Sequence, residues 1–271
     1  MKQNRQKFQG ECSMGMRTKK KIAIVTGASS GMGRECVIQL ADRFGGLEEI
    51  WVIARRGKRL EKLAKEVPVP LKVMELDLQD EMSLAELEEK LEWYEPEVKI
   101  LVNGAGFGKI GRIEDLSIAE ETGMVDVNCR ALTAVTRLVL PYMTENSRIL
   151  QFASAAAFLP QPRFAVYAAT KAFVLSYSRA LAMELRPRQI YVTAVCPGPV
   201  KTEFFDIAET TGVIPLYKRL VMADPKKVVK KALRDSMMGK RVSVYGPLMK
   251  AFFLLAKVFP HDFILSLLFA K

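Results

Sequence analysis

Short apolar runs alternate with longer amphipathic stretches along most of the chain. Six of these runs are rich in β-branched residues and short enough for buried parallel strands: KIAIV (21–25), EIWVI (49–53), LKVMEL (71–76), KILV (99–102), RILQF (148–152) and IYVTAV (190–195). Helical periodicity occupies the intervals 32–44, 58–66, 83–93, 118–142 and 167–185. This alternation predicts an α/β fold with a single doubly wound parallel sheet and helices on both faces.

The last part of the chain departs from this alternation. Asp224 and Pro225 predict the start of a helix that runs to about Met238, and RVSVY (241–245) predicts a final strand. Two apolar halves follow, 248–259 and 263–270, each shorter than the roughly 20 residues that a membrane-spanning helix needs. Three alternatives stay open for this tail: a lid or oligomer contact, attachment to a membrane surface, and a span.

The basic charge of the chain is concentrated at its start. The formal net charge is +11, and residues 1–20 hold six basic residues against Glu11 alone. This extension lacks the apolar core of a secretory signal, so we expect a solvated arm on a cytoplasmic protein, or on one peripheral to a membrane. Nucleic-acid binding is the alternative that the charge suggests, but no DNA- or RNA-binding module supports it. We predict a disordered extension at 1–20, an α/β domain at 21–246 and an apolar helical tail at 247–271.

Cysteine and histidine usage excludes several classes of site. The four cysteines show no metal-ligand spacing, and His261 is the single histidine of the chain. This pattern argues against a zinc site and a disulfide scaffold, so we expect reduced cysteines and no bound metal. His261 lies in the apolar tail, far from any nucleophile motif, which argues against a histidine-based triad.

A glycine-rich turn follows the first predicted strand directly. The segment TGASSGMGRE (26–35) places Gly27, Gly31 and Gly33 between a strand and a helix. Glycines at this point allow a tight turn and let a pyrophosphate approach the helix N-terminus. Tight turns also need glycine for steric reasons alone, but the position after the first strand favours a nucleotide site.

The end of the second predicted strand indicates which dinucleotide the turn would serve. An acidic side chain there would hold the ribose hydroxyls of NAD(H), but this chain has Ala54, Arg55 and Arg56. Cations suit a 2′-phosphate, so we predict NADP(H) over NAD(H), with Arg55 as the main contact and Arg34 or Arg56 as helpers. The alternative is that the arginines only solvate a strand end. Asp77, after the third strand, is placed to reach the adenine.

Several motifs, taken in order, resemble those of a classical short-chain dehydrogenase/reductase. They are TGASSGMG (26–33), NGAG (103–106), Asn128, Ser154, YAATK (167–171) and PGPVKT (197–202), and the resemblance covers about residues 21–245. It implies a Rossmann-type sheet and a catalytic set formed by Asn128, Ser154, Tyr167 and Lys171. The predicted cofactor-binding residues are Gly27, Ser29, Ser30, Gly31, Met32, Gly33, Arg55, Arg56, Asp77, Leu78, Asn103, Ala105, Gly106, Tyr167, Lys171, Pro197, Gly198, Val200 and Thr202. Gly104 departs from the family's frequent second asparagine, which puts local stability in doubt more than chemistry.

The resemblance implies an NADP(H)-dependent oxidoreductase that interconverts a ketone and a secondary alcohol. Tyr167 would be its general acid/base, and the four-residue spacing puts Lys171 on the same helical face. We expect the ammonium to lower the pKa of the phenol. Ser154 would hold the substrate oxygen. Asn128 would kink its helix and hold a relay water, although a satisfied buried amide is the alternative reading.

The substrate and the assembly are less sharply indicated. Apolar residues in 203–223 and in the tail suit a lipophilic substrate, such as a steroid, retinoid, sphingoid base or 3-oxoacyl group, although the loop could simply pack on the core. By the same resemblance, subunits would pair as a homodimer or homotetramer through helices 118–142 and 167–185. The alternative function is a non-catalytic NADP(H)-binding sensor or scaffold, and intact Ser154, Tyr167 and Lys171 favour the enzyme.

Overall fold

A seven-stranded, fully parallel sheet forms the centre of the molecule. The computed structural model describes residues 19–204, 208 and 222–269, with side chains described as far as Leu267. The strands lie in the order β3-β2-β1-β4-β5-β6-β7. Their bounds are Lys21–Thr26 (β1), Glu49–Ala54 (β2), Leu71–Glu75 (β3), Glu97–Asn103 (β4), Met143–Phe152 (β5), Tyr191–Val195 (β6) and Val242–Ser243 (β7). The predicted α/β sheet of the Rossmann type is therefore confirmed.

Helices cover both faces of the sheet, as the alternating pattern predicted. Their bounds are Gly31–Arg43 (α1), Gly57–Ala64 (α2), Glu81–Tyr94 (α3), Ile118–Val125 (α4), Leu132–Val139 (α5), Ala165–Glu184 (α6), Pro225–Met237 (α7), Pro247–Val258 (α8) and His261–Phe269 (α9). Side chains of β1 alternate between two cores: Ile22 and Ile24 pack with α3, α5 and α6, whereas Ala23 and Val25 pack with α1, α2 and α7. Burial on both faces explains why the central strands read as continuous apolar runs.

The long helix predicted at 118–142 is present but is not regular. A π-helical segment, Asp126–Ala131, lies between α4 and α5, and a 3₁₀ turn at Leu140–Tyr142 ends the run. The π-helical segment widens the helix locally, and the 3₁₀ turn tightens it. The following strand β5 begins at Met143, earlier than the predicted start at 148, because Thr144, Glu145 and Asn146 are polar and hide the strand pattern.

A buried carboxylate fixes the last strand to the sheet. Asp235 of α7 is 2% exposed and accepts hydrogen bonds from Ser243 of β7 at 2.7 Å and from Lys231 and Lys240 at 2.5 and 3.0 Å. Burial raises the pKa of this carboxyl, but its bonds with Lys231, Ser243 and Lys240 outweigh it and hold the pKa below the usual value. The side-chain bond with Ser243 adds to the backbone bonds that the amides of Ala194 and Cys196 donate to the carbonyls of Arg241 and Ser243 at 2.9 and 2.8 Å.

Two helices follow β7. One side of α8 packs on the 3₁₀ turn Ala155–Phe158, where the ring centroids of Phe158 and Phe253 are 4.7 Å apart. The other side of α8 and much of α9 are exposed, although Ile264 of α9 is buried. Within the part of the chain that the structure describes, no helix combines the length and apolarity needed to cross a membrane. Most of the predicted substrate loop at 203–223 lies outside the described residues.

Candidate active site

A cleft of about 1510 Å³ opens along the carboxyl ends of the strands. Its lining includes every predicted cofactor-binding residue except Asn103, together with Ser154 and the loop residues Pro160 and Pro162. Ligands of doubly wound sheets bind at this edge, where the loops that follow the strands diverge. The motifs that are separated in sequence are therefore brought into one cavity.

The glycine turn closes tightly over the neighbouring strand β4. Gly27 has φ of +67°, and a Cβ there would lie 2.7 Å from the backbone of Gly104 and Ala105. The hydroxyl of Thr26 accepts hydrogen bonds from the amides of Gly104 and Ala105, both at 3.1 Å. A Cβ on Gly104 would in turn lie 2.8 Å from the carbonyl oxygen of Thr26. The backbones approach so closely that Gly104, which stands where the family often has an asparagine, has no room for a side chain. Thr26 is a positioning residue that sequence reasoning missed.

The first turn of α1 presents free backbone donors to the cleft. Ser30 is the N-cap residue, but its side chain makes no capping bond, and the first turn contains no acidic residue. Gly31, Met32 and Gly33 of this turn line the cleft. Unsatisfied amides and the helix dipole favour an anion at this place. The donor set thus fits the pyrophosphate of a dinucleotide.

The arginines after β2 take different positions from those expected. Arg56, and not Arg55, contacts the glycine turn, donating to the hydroxyls of Ser29 at 3.2 Å and Ser30 at 2.7 Å. The side chain of Arg55 is 67% exposed and lies 3.9 Å from a carboxylate oxygen of Asp77. Arg34 forms an ion pair with Glu66 and does not line the cleft. The ranking of the three arginines as phosphate contacts therefore changes. Arg56, and not Arg55, is the best placed of the three.

Asn103 does not reach the cleft, contrary to the prediction. Its side chain is 2% exposed, and its amide donates to Thr136 and to Gln151, both at 2.9 Å. These partners lie on α5 and β5, so the asparagine joins β4 to neighbouring elements below the cleft floor. Side chains alternate between the faces of a strand, and the final residue of β4 points into the sheet core instead of toward a ligand.

Tyr167 lines the cleft and is buried among aromatic rings. It stacks on Phe164 with ring centroids 4.2 Å apart and approaches Phe204 at 5.3 Å. Burial raises the pKa of Tyr167 to about 12, and the hydrogen bond with Ser154 lowers it only in part. The phenol therefore stays protonated at neutral pH. Ser154 also accepts a bond from the amide of Ala156 at 3.1 Å, which fixes its hydroxyl at the end of β5.

Lys171 is buried one helical turn after Tyr167. Its ammonium nitrogen lies 5.6 Å from the centre of the Tyr167 ring and donates to the carbonyl oxygen of Phe152 at 2.8 Å. Burial lowers the pKa of Lys171 to about 8. The expected lowering of the tyrosine pKa by this lysine is not observed, because burial dominates at both groups and the ammonium is directed to a backbone carbonyl.

Asn128 lies in the π-helical segment and is fully buried. Its amide nitrogen donates to the Phe107 carbonyl at 2.9 Å and to the Thr170 hydroxyl at 3.0 Å, and its oxygen accepts from the Phe107 amide at 3.1 Å. The side chain thus connects the loop after β4 with α6. These bonds agree with a satisfied buried amide, and the irregular helix agrees with the predicted kink. The relay water stays a prediction.

Apolar residues from the predicted substrate loop and the tail also line the cleft, together with Phe164, which sequence reasoning missed. Phe164 and Phe204 enclose Tyr167, and Met249 and Phe252 of α8 form part of the wall. A Cβ on Gly198 would lie 2.5 Å from the sulfur of Met249, so α8 packs directly on the PGPVKT segment. Apolar residues in α8 could have been assigned to the site only from the tertiary packing.

Metal and disulfide chemistry find no support in the described ranges. Residues 19–204, 208 and 222–269 contain no cluster of His, Cys, Asp or Glu that could hold a metal ion. Within those ranges Cys36, Cys129 and Cys196 are free thiols. Burial is the main cause that raises the pKa of all three thiols, to about 12 for Cys196.

Comparison with known sequences gives a consistent result. A family model described as short chain dehydrogenase matches residues 21–211. Sulfoacetaldehyde reductase 2 of Chromohalobacter salexigens is 34% identical over 189 residues, which cover 68% of this chain and 74% of that protein. Very-long-chain 3-oxoacyl-CoA reductase-B of Danio rerio is 32% identical over 211 residues, which cover 75% of this chain and 67% of that protein.

Solved structures agree with the sequence relatives. A short-chain dehydrogenase from Sphingobium yanoikuyae in complex with NADPH superposes with a TM-score of 0.72 at 25% identity, covering 89% of this chain and 96% of that one. A 3-ketoacyl-(acyl-carrier-protein) reductase from Brucella melitensis, complexed with NADH, gives 0.71 at 29% identity, covering 83% and 96%. The chain therefore belongs to the short-chain dehydrogenase/reductase family.

Proposed function

We propose that the protein is an NADP(H)-dependent oxidoreductase that interconverts a ketone and a secondary alcohol. The observation that carries the proposal is one cleft that joins the glycine turn to Ser154, Tyr167 and Lys171. Membership in the family supports an oxidoreductase with a nicotinamide cofactor, and the structural relatives above were solved with NADPH or NADH. A bound nicotinamide would supply the hydride to the carbonyl carbon.

The residues of this chain would handle the oxygen and its proton. Ser154 would donate a hydrogen bond to the carbonyl oxygen, and Tyr167 would transfer its proton to that oxygen as negative charge develops there. A pKa of about 12 keeps Tyr167 in the acid form at neutral pH, which is the form that reduction requires. Lys171 would orient the cofactor's ribose and support the electrostatics around the phenol.

The cleft lining supports a lipophilic substrate. Around Tyr167 it is formed by Phe107, Ile110, Leu159, Phe164, Phe204, Leu248, Met249 and Phe252. Apolar walls of this kind favour bulky apolar ketones over sugars. The similarity to a very-long-chain 3-oxoacyl-CoA reductase supports a 3-oxoacyl group, and a steroid, retinoid or sphingoid ketone fits the same lining.

NADPH oxidation with a panel of carbonyl compounds tests the proposed activity. The panel would contain a steroid ketone, a long-chain 3-oxoacyl thioester, a sphingoid ketone, retinal and a small aliphatic ketone. We expect turnover with at least one of the bulky apolar members. NADPH binding without turnover of any member would contradict the proposed enzyme and favour the sensor.

Replacing Arg56 is expected to change the cofactor preference. Arg56→Gln removes the guanidinium that bridges Ser29 and Ser30, so NADPH should bind at least about tenfold more weakly, because charge-assisted bonds to a phosphate are strong. NADH has no 2′-phosphate, and its affinity should change less than about twofold. Fluorescence titration with each cofactor measures both values. Arg34→Gln is the matched control, and an equal loss for both cofactors would contradict the assignment.

The outer face of α8 and α9 supports contact with a membrane surface. Four large apolar side chains are mostly exposed there: Leu254 (62%), Val258 (64%), Phe263 (57%) and Leu267 (75%). Lys257 lies among them on α8, and the chain as a whole is basic. An apolar face with basic residues suits the surface of an anionic bilayer. We therefore propose that α8 forms a wall of the cleft on one side and contacts lipid on the other.

Vesicle binding tests this contact. The double variant Leu254→Glu with Leu267→Glu should bind phosphatidylcholine–phosphatidylserine vesicles at least about tenfold more weakly than the wild type. The variant loses two exposed leucines that would enter the bilayer and gains two negative charges that an anionic bilayer repels. Cosedimentation measures the bound fraction. Met82→Glu, at a residue that is 75% exposed on α3, is the control. A wild-type protein that stays in the supernatant would contradict the proposal.

The assembly as a homodimer or homotetramer also stays a proposal. Large apolar side chains are exposed on both helices: Ile118 (80%) and Val125 (46%) on α4, and Phe173 (43%) and Met183 (49%) on α6. Exposed apolar residues on these two helices support pairing through the faces that the sequence indicated. Equilibrium sedimentation measures the number of subunits.

A further inference from the structure

The carboxylate of Glu203 lies between two arginines at the adenosine end of the cleft. One oxygen accepts from Arg59 at 2.7 Å, and the other accepts from Arg56 at 3.0 Å and from Arg59 at 2.9 Å. Both oxygens are therefore bonded to guanidinium groups. Their bonds with Arg56 and then Arg59 hold the pKa of Glu203 below its usual value, so the carboxylate is ionised at neutral pH.

The backbone places Glu203 at this point. It follows the PGPVKT segment directly, and the amide of Lys201 donates to the carbonyl of Ala223 at 3.0 Å while the amide of Ala223 donates to that of Pro199 at 2.9 Å. These two bonds form a short bridge that holds the segment beside the cleft. Glu203 thus reaches across from the far side of the cleft to the arginines after β2.

The arginines form part of an anion cradle with the glycine turn. Arg56 contacts the hydroxyls of Ser29 and Ser30 with the same guanidinium that bonds Glu203. Two hydroxyls and one guanidinium beside the turn are donors suited to phosphate oxygens. In the structure the guanidinium of Arg56 holds a carboxylate of the protein itself.

We propose that Glu203 competes with the 2′-phosphate of NADP(H) for Arg56 and thereby limits the preference of this site for NADP(H) over NAD(H). The inference rests on the proposed use of a nicotinamide dinucleotide. A phosphate at Arg56 would meet the negative charge of Glu203, so its binding requires the carboxylate to give up that guanidinium. NADH carries no such phosphate, and Glu203 can keep its bonds when NADH is bound.

Arg59 gives the displaced carboxylate a place to remain. It bonds both oxygens of Glu203, so loss of the Arg56 bond leaves the carboxylate paired and the side chain close to the cleft. The cost of exchange is therefore moderate, as for other half-exposed ion pairs. We expect Glu203 to tune the cofactor preference and not to abolish binding of either cofactor.

Cofactor titration of Glu203→Gln tests the proposal. The amide keeps the shape of the side chain and removes its charge. NADPH should bind about fivefold more tightly than to the wild type, whereas NADH affinity should change less than about twofold. Glu66→Gln is the matched control, since it removes a carboxylate paired with Arg34 outside the cleft and changes the net charge equally. It should alter neither affinity by more than about twofold.

A double-mutant cycle locates the effect. In an Arg56→Gln background, Glu203→Gln should lose most of its effect on NADPH, because the contested guanidinium is absent. An unchanged effect would show a general charge contribution and overturn the proposal. Unaltered or weaker NADPH binding by Glu203→Gln alone would also overturn it. A wild-type protein that binds neither cofactor would instead contradict the proposed function.

Discussion

Tyr167→Phe should abolish measurable turnover while the protein continues to bind NADPH. The substitution removes one hydroxyl from a ring that is held between Phe164 and Phe204, so the packing of the cleft should persist. Ser154 and Lys171 also carry protons beside this ring, but the ammonium of Lys171 is directed to the carbonyl oxygen of Phe152. We expect kcat to fall by at least about 10³-fold, within the range of lost general acid catalysis.

A matched control separates the chemistry from the loss of any tyrosine hydroxyl. Tyr177 lies on the same helix, stacks on Phe173 and does not line the cleft. Tyr177→Phe should keep kcat within about threefold of the wild-type value, since its hydroxyl lies outside the cleft and its loss should have only a small effect. Turnover in the presence of NADPH and the best ketone of the panel gives kcat, and cofactor fluorescence gives the dissociation constant. Substantial activity in Tyr167→Phe would refute the assignment.

Lys171→Met should stabilise the fold near neutral pH while it lowers activity. The ammonium of Lys171 is buried, and burial lowers its pKa to about 8 from an ordinary value of 10.5. Between these two pH values the unfolded chain binds more protons than the folded one, so the wild-type free energy of unfolding gains a contribution as the pH rises. Methionine carries no such penalty at any pH.

The difference between the two proteins should therefore depend on pH. The advantage of Lys171→Met in the free energy of unfolding should be about 2 kcal/mol larger at pH 7 than at pH 10. Urea denaturation at several pH values measures it, and Lys62→Met, at an exposed residue of α2, is the control. Activity should fall at least about 100-fold, because a charge beside the phenol and the cofactor is lost. A pH-independent difference would contradict a buried, charged lysine.

Local patterns were sufficient for most of the architecture. Parallel strands buried on both faces must be short, continuous and apolar, and β1, β2 and β4 follow this rule closely. The start of β5 was missed because the polar residues from Thr144 to Asn146 lie at the edge of the sheet, where solvent accepts them. The irregular turn around Asn128 depends on bonds to Phe107 and Thr170, which are distant in the sequence.

The sequence predicted which residues line the site better than it predicted their ion pairs and pKa values. Every predicted cofactor-binding residue except Asn103 lines the cleft, because most of them follow strands at the same edge of the sheet and Tyr167 and Lys171 lie on α6 beside that edge. The ranking of Arg55 above Arg56 was not supported, since the side-chain direction after β2 depends on Ser29, Ser30 and Glu203. The pKa of Tyr167 was expected to fall, but burial raises it. The four-residue spacing in the sequence indicates that a charge is close to the phenol, but it does not indicate that water is excluded from the ring.

The packing of α8 brings a segment that lies beyond the family match into the candidate site. The family match ends at residue 211, before α8 begins at Pro247, yet Met249 and Phe252 form part of the cleft wall. The predicted domain boundary at 246 would therefore divide one binding cavity between two segments. Substitutions in α8 can reshape that cavity without touching Ser154, Tyr167 or Lys171. Under the proposed function, changes confined to α8 should therefore alter the substrate range and leave the reaction chemistry intact.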